Sequence, residues 1–168
     1  MPQLQHRLQP CLWFDGQAEP AARFYTSVFP QSRLGALSYY AEAGQDQHGQ
    51  TPGSVMSVSF ELLGQPLLAL NGGPIFRFTE ALSLMVLCDT QDEIDHYWNA
   101  LSQGGDPAAQ QCGWLKDRYG LSWQITPAAF AEWITSPDRA AVERYMSAMM
   151  TMKKLDLVRL RRAFEGSE

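Results

Sequence analysis

An α+β fold is predicted here: two βαβββ modules that together curl into a cupped mixed β-sheet, followed by a C-terminal helical extension. Three observations predict it. A short apolar run closed by Asp15-Gly16 precedes an amphipathic helix and three strand-like stretches. The same order starts again at residue 81. After residue 127 the pattern turns helical to the end. Self-similarity of this kind weighs more for architecture than any single motif, and one such unit alone would leave a sheet face bare.

Each element has its own signal. LQPCLWF, residues 8–14, reads as a strand. In QAEPAARFYTSVF, Ala21, Phe24, Tyr25 and Val28 fall at i, i+3, i+4 and i+7, a single apolar helix stripe. Pro20 suits only a first turn and Pro30 stops the helix. SRLGALSYY (32–40), VMSVSFELLG (55–64) and PLLAL (66–70) read as strands. In the middle one Val55, Ser57 and Ser59 share one face and Met56, Val58 and Phe60 the other. EAGQDQHGQTPG (42–53) reads as a mobile polar loop.

In the second module ALSLMVLC (81–88) is the first strand. Thr90 and Glu93 form a capping box, and Ile94, Tyr97, Trp98 and Leu101 repeat the helix stripe up to Gly104. Strands are expected near 107–112, 113–116 and 121–126, the last two joined by a turn that opens on Asp117 and closes on Gly120. In the extension Ser136 can cap a helix whose first residue is Pro137, with Asp138 suited to its positive end. Val142, Tyr145, Met146 and Met149 form one stripe there, and Leu157, Leu160 and Phe164 another. The methionines 146, 149, 150 and 152 suit core packing one by one and an interface as a cluster. The boundaries are module one about 7–73, module two about 80–127 and the extension 128–168, all within a single domain.

Composition narrows the function. A chain of 168 residues with 45% hydrophobic and 18% charged content is ordinary for a folded domain. A net charge of −5 offers nothing to nucleic acid, and no apolar run is long enough for a signal peptide or a membrane span. Cys11, Cys88 and Cys112 are odd in number and widely spaced, so they read as reduced, buried thiols of a cytoplasmic protein.

LWFDGQAEPAARFYTSVFP, FELLGQPLLALNGGP, CDTQDEIDHYWNALSQGG, CGWLKDRYGLSWQITP and AMMTMKKLDLVRL resemble the PhnB-like proteins of the vicinal-oxygen-chelate superfamily. This is the glyoxalase/bleomycin-resistance/dioxygenase superfamily. The resemblance runs from about residue 8 to 162. It implies paired βαβββ modules, a homodimer, and the label 3-demethylubiquinone-9 3-methyltransferase. That label conflicts with the residues. The first strand-to-helix turn is FDGQAEP, without the glycine-rich loop of a doubly wound S-adenosylmethionine enzyme.

The resemblance also implies four divalent-metal ligands, one from each of four strands. Carried over, those positions fall at Gln9, Leu68 or Ala69, Ala81 and Gln124, the last where relatives keep a Glu. Two amides and two aliphatic groups make a poor divalent site, and His6, His48 and His96 share no ligand spacing. No metal and no cofactor are therefore expected. The cup is expected to hold a small molecule among Gln9, Cys11, Trp13, Asn71, Ser83, Met85, Gln111, Trp114, Ser122 and Gln124. The blander reading makes each tryptophan a core residue, Cys112 an inert thiol, and Asp117 and Lys116 turn and surface residues. Three functions follow: a metal-free binding protein, an enzyme (metal-dependent isomerase, lyase or dioxygenase, or a transferase), or an interaction dimer whose pocket has closed.

Overall fold

The computed structural model describes residues 8–167, so His6 lies outside the described residues. The chain divides into two compact units, one ending at Phe78 and the other running from Thr79. In the first, β1 (Cys11–Phe14), α1 (Ala18–Val28), β2 (Arg33–Tyr39), α2 (Gln45–His48), β3 (Val55–Leu62) and β4 (Gln65–Asn71) follow in order. The strands form one mixed sheet in the order β1-β4-β3-β2, with β1 parallel to β4 and the other pairs antiparallel.

Alternation decides which face α1 covers. Leu12 and Phe14 of β1, Val58 and Phe60 of β3, and Leu67 and Ala69 of β4 are buried, as are Ala18, Ala21, Ala22, Tyr25 and Val28 of α1. The hairpin between β3 and β4 is a two-residue loop with both central residues at positive φ, Leu63 at 49° and Gly64 at 83°. That is the twist-matching turn that favours glycine. The stretch predicted as a mobile loop contains a short helix instead. Glycines with left-handed φ bound it at 44 and 49, and His48 packs its ring 4.6 Å from that of Tyr40.

The second unit repeats the pattern with one strand fewer. It contains β5 (Ser83–Cys88), α3 (Gln91–Ser102), a 3₁₀ turn (Pro107–Ala109), β6 (Trp114–Lys116) and β7 (Ser122–Pro127), in the sheet order β5-β7-β6. The strand expected over 107–112 is absent. Asp106 caps the 3₁₀ turn through its carboxylate, and the chain then reverses tightly at Cys112-Gly113, both at positive φ. Gln111 and Trp114 exchange backbone hydrogen bonds across that reversal. The α3 capping box forms as predicted, Thr90 Oγ1 accepting from the Glu93 amide and the Glu93 carboxylate accepting from the Thr90 amide.

In the extension α4 (Phe130–Ile134), α5 (Arg139–Met150) and α6 (Leu157–Glu165) enclose a small core of Trp133, Tyr145, Met149, Met152, Leu155 and Leu160. Met149 and Met152 are therefore core residues. Asp138, not Ser136, is the cap of α5, because its carboxylate reaches the Ala141 amide. The extension is clasped to α3 by the Gln91 amide, which donates to the Leu155 carbonyl and accepts from the Leu157 amide, and by an ion pair from Lys154 to Asp95 at 2.6 Å. Among the described residues no helix is long and apolar enough to cross a membrane.

Candidate functional site

The face of the second sheet turned away from α3 is built as cross-strand rows. Pairing puts Ser83 beside Ser122 and Ser122 beside Lys116. It also puts Met85 beside Gln124 and Gln124 beside Trp114, and Leu87 beside Thr126. Residues directly opposite across paired strands share a face. The intervening Trp123 and Ile125 point the other way and are buried. The predicted register of Gln124 therefore holds: it stands on the open face, between Met85 and Trp114. Its Nε2 donates to Ser83 Oγ at 2.8 Å.

Three of the predicted residues meet in one groove. Gln111, Trp114 and Ser122, with Cys112, Lys116 and Glu80, line an open groove of about 400 Å³ along the β6 edge. The tight reversal at 112–113 shapes one wall. Its two amides donate to the Met152 and Lys153 carbonyls at 2.8 Å each, so the reversal is braced from behind. Gln111 Nε2 donates to the Met150 carbonyl and contacts Cys112 Sγ at 3.4 Å. At the other end Lys116 Nζ lies 2.6 Å from the Glu80 carboxylate. That hydrogen bond, more than the charge beside it, holds the Glu80 carboxyl below the usual carboxylate range. The pair leaves no net charge in the groove.

Ser122 is the exception to an otherwise satisfied site. It is 1% exposed, and its Oγ has no hydrogen-bond partner.

The hairpin that carries these residues is held by Asp117, which the sequence marks as a turn and surface residue; the turn forms, and the surface placement is wrong. Asp117 is 2% exposed. Its Oδ1 accepts from the Tyr119 and Leu121 amides and its Oδ2 from Trp123 Nε1 at 2.8 Å, while its carbonyl accepts from the Gly120 amide as a type I turn requires. An aspartate opening a turn was legible; the tryptophan three residues past its end was the clue to burial.

The first-unit candidates are occupied within the fold. Asn71 is buried. Its Oδ1 accepts from the Ala18 amide at the start of α1 and its Nδ2 donates to the Val55 carbonyl. It supplies the helix cap that Gln17 does not. Trp13 lies against Gly72, donates Nε1–H to the Gly73 carbonyl at 2.8 Å and meets Phe76 edge-on. Gln9 is exposed beside Gly35, Ser59 and Glu61. Cys11 is exposed rather than buried, because its place in β1 alternates with Leu12. Cys88 is buried and Cys112 half-buried, and all three are free thiols.

A divalent ion of the kind the superfamily implies does not fit these donors. The open face of the second sheet offers one amide and neutral hydroxyls, and its one nearby carboxylate, Glu80, is neutralised by Lys116. Of the remaining carried-over positions, Leu68 shares the open face of its own sheet with Cys11, Ala69 is buried under α1, and Ala81 precedes β5. Among the described residues no three His, Cys, Asp or Glu side chains cluster as metal ligands.

Comparison with known proteins agrees with this architecture. The family described as 3-demethylubiquinone-9 3-methyltransferase matches residues 6–126. A solved PhnB protein from Bacillus cereus, which carries the same methyltransferase description, is 38% identical. The match covers 73% of this chain and 100% of that one, with a TM-score of 0.62. A solved Pseudomonas aeruginosa protein shares the fold at 18% identity, over 73% of this chain and 98% of that one, with a TM-score of 0.56. No curated protein matches. The chain belongs to the PhnB-like family described as 3-demethylubiquinone-9 3-methyltransferase.

Proposed function

We propose that the protein is a metal-free receptor for a small organic molecule, held on the open face of the second sheet in the groove lined by Gln111, Trp114 and Ser122. One observation carries this reading: a groove of about 400 Å³, within the size range of ligand pockets, whose polar groups are neutral or mutually neutralised. Such groups orient a ligand by hydrogen bonds without titrating. Gln124, Ser83 and Met85 extend the same surface.

The methyltransferase description is not carried over. The turn from β1 to α1 has a single glycine, Gly16, and the helix start it leads to is capped by Asn71 rather than open to a nucleotide. The reading extends to a cytoplasmic homodimer without nucleic-acid or membrane partners. The family resemblance supports the dimer, the free thiols the compartment, and the net charge of −5 the lack of affinity for nucleic acid.

Native mass spectrometry with elemental analysis of the purified protein tests the proposal. A retained organic mass with substoichiometric divalent metal is expected. One tightly bound metal ion per chain, or micromolar binding of S-adenosylmethionine, would overturn it.

A further inference from the structure

We infer that Cys112 and Met150 form a two-sulfur site for a monovalent soft cation of the Cu(I) or Ag(I) class, in addition to the receptor role proposed above. Of the C-terminal methionine cluster, Met149 and Met152 are buried in the extension core, while Met150 is 57% exposed.

The contact between the two sulfurs is direct. Cys112 Sγ lies 3.5 Å from Met150 Sδ, and the half-buried thiol lines the groove. The thiol proton between them is what a cation would displace. A metal–sulfur bond is about 2.3 Å long, so a bridging ion needs the sulfurs roughly 4–4.6 Å apart. They must part by about 1 Å from where they stand. Met150 can supply that movement, because its unbranched thioether chain turns easily and stands largely in solvent.

The fold brings the pair together at a cost. Cys112 has a φ of 51°, in the left-handed region that disfavours any residue but glycine. Its neighbour Gly113 has no alternative: a Cβ there would lie 2.8 Å from the Ile125 carbonyl oxygen. A thiol is thus held where glycine would be easier. Three hydrogen bonds fasten the reversal to the end of α5: Cys112 N–H to the Met152 carbonyl, Gly113 N–H to the Lys153 carbonyl, and Gln111 Nε2 to the Met150 carbonyl. The two donors are therefore positioned before any ion arrives.

Donor chemistry selects the ion. A thiolate and a thioether are soft ligands and suit Cu(I) rather than hard cations. One thiolate charge balances one positive charge. Met150 is the last residue of α5, at the carbonyl end of the helix, which favours a cation. Among the described residues no three His, Cys, Asp or Glu side chains cluster to attract a divalent ion instead. A two-sulfur site gives way to the excess thiol of a purification buffer, so it empties on purification and leaves the test of the receptor reading intact.

Silver ion is the probe, because Ag(I) is soft and undergoes no redox step. It is added in chloride-free buffer to the reduced, full-length protein with its methionine methyl groups labelled with carbon-13. One equivalent should move the Met150 methyl resonance and slow iodoacetamide labelling of Cys112 before that of the exposed Cys11. Met150→Leu, a change at an exposed position, should weaken silver binding at Cys112 about tenfold. Cys112→Ala should leave the Met150 methyl unmoved. Zn(II) should not move it in any form of the protein. An unmoved Met150 methyl in the wild-type protein with silver bound overturns the inference, because the thiol then binds alone; this result needs no variant to fold. Equal affinity in Met150→Leu, earlier capture by Cys11, or a shift caused by Zn(II) also overturns it. Retention of an organic molecule is read separately, so failure here leaves the receptor reading standing.

Discussion

The open faces of the two sheets start from the same β-α-β plan and end with opposite chemistry. In the first unit the polar groups of that face are largely paired within the fold, while Cys11 stays exposed. Ser38 and Ser57 hydroxyls bond each other at 2.7 Å, Ser59 donates to the Ala36 carbonyl, and Trp13 covers Gly72 with its indole N–H spent on Gly73. In the second unit the corresponding face keeps Met85 and Leu87 exposed, at 45% and 59%, and leaves the Ser122 hydroxyl unpartnered. Recognition chemistry survives where polar groups are not used up by one another. The loss of one strand contributes: a 3₁₀ turn and a tight reversal at Cys112-Gly113 stand where the first unit has a full strand, and they open the groove.

The largest expected effect comes from the support beneath the open face. Asp117→Ala strands the buried Leu121 amide, the half-buried Tyr119 amide and the buried Trp123 indole N–H, each buried group costing about 1–3 kcal/mol. A loss of about 3 kcal/mol or more in urea unfolding is expected; a change under about 1 kcal/mol would show that Asp117 only decorates the turn. Next is Gly72→Ala in the first unit. A Cβ there would sit 2.1 Å from the Trp13 ring, so the indole must move. A loss of about 1–3 kcal/mol with the same retained mass in native mass spectrometry is expected. Loss of the retained mass would mean that the first sheet takes part in recognition.

Alkaline pH separates buried acids from exposed ones. Burial, with the Glu93 and Asp89 charges adding to it, pushes the Cys88 thiol from 9.0 to about 12, and burial alone pushes Tyr145 from 10.0 to about 12. Both folded pKa values are raised above the unfolded ones. Their contribution to stability is therefore complete below pH 9 and drains away as pH climbs toward 12. Thermal melts should show Tm falling from pH 9 upward, with a shallower fall in Cys88→Ala relative to its own neutral-pH value. A flat profile would place both groups in water. The smallest effect is at the edge of the groove: Glu80→Gln removes the ion pair with Lys116, and a loss under about 1 kcal/mol in urea unfolding is expected. A loss above about 2 kcal/mol would show that the pair braces the fold.

Local patterns were legible in the sequence, and long-range partnerships were not. Period-2 alternation fixed which side of β1, β3 and β7 each helix covers, so Cys11, Trp13 and Gln124 were placed on the correct faces. The capping box at Thr90 and the turn from Asp117 to Gly120 were also readable, because both are decided within four residues. Asn71 capping a helix 53 positions earlier, Gln91 clasping a segment 66 positions later, and Glu80 pairing with Lys116 depend on tertiary contact. The stretch 107–112 was misread as a strand because its Pro107 turn is capped by the Asp106 carboxylate, and the break expected between 112 and 113 is a reversal in which Cys112, a non-glycine residue, takes positive φ.

The cysteines offer the most direct measurement. Cys112 lines the proposed site, Cys11 lies exposed on the first sheet, and Cys88 is buried. Iodoacetamide labelling followed by peptide mass mapping, on the protein as purified and after denaturing extraction and refolding, reports on all three at once. The retained molecule should slow carbamidomethylation of Cys112 several-fold and leave Cys11 unchanged. Protection of Cys11 with Cys112 still reacting freely would contradict the assignment of the ligand to the second sheet.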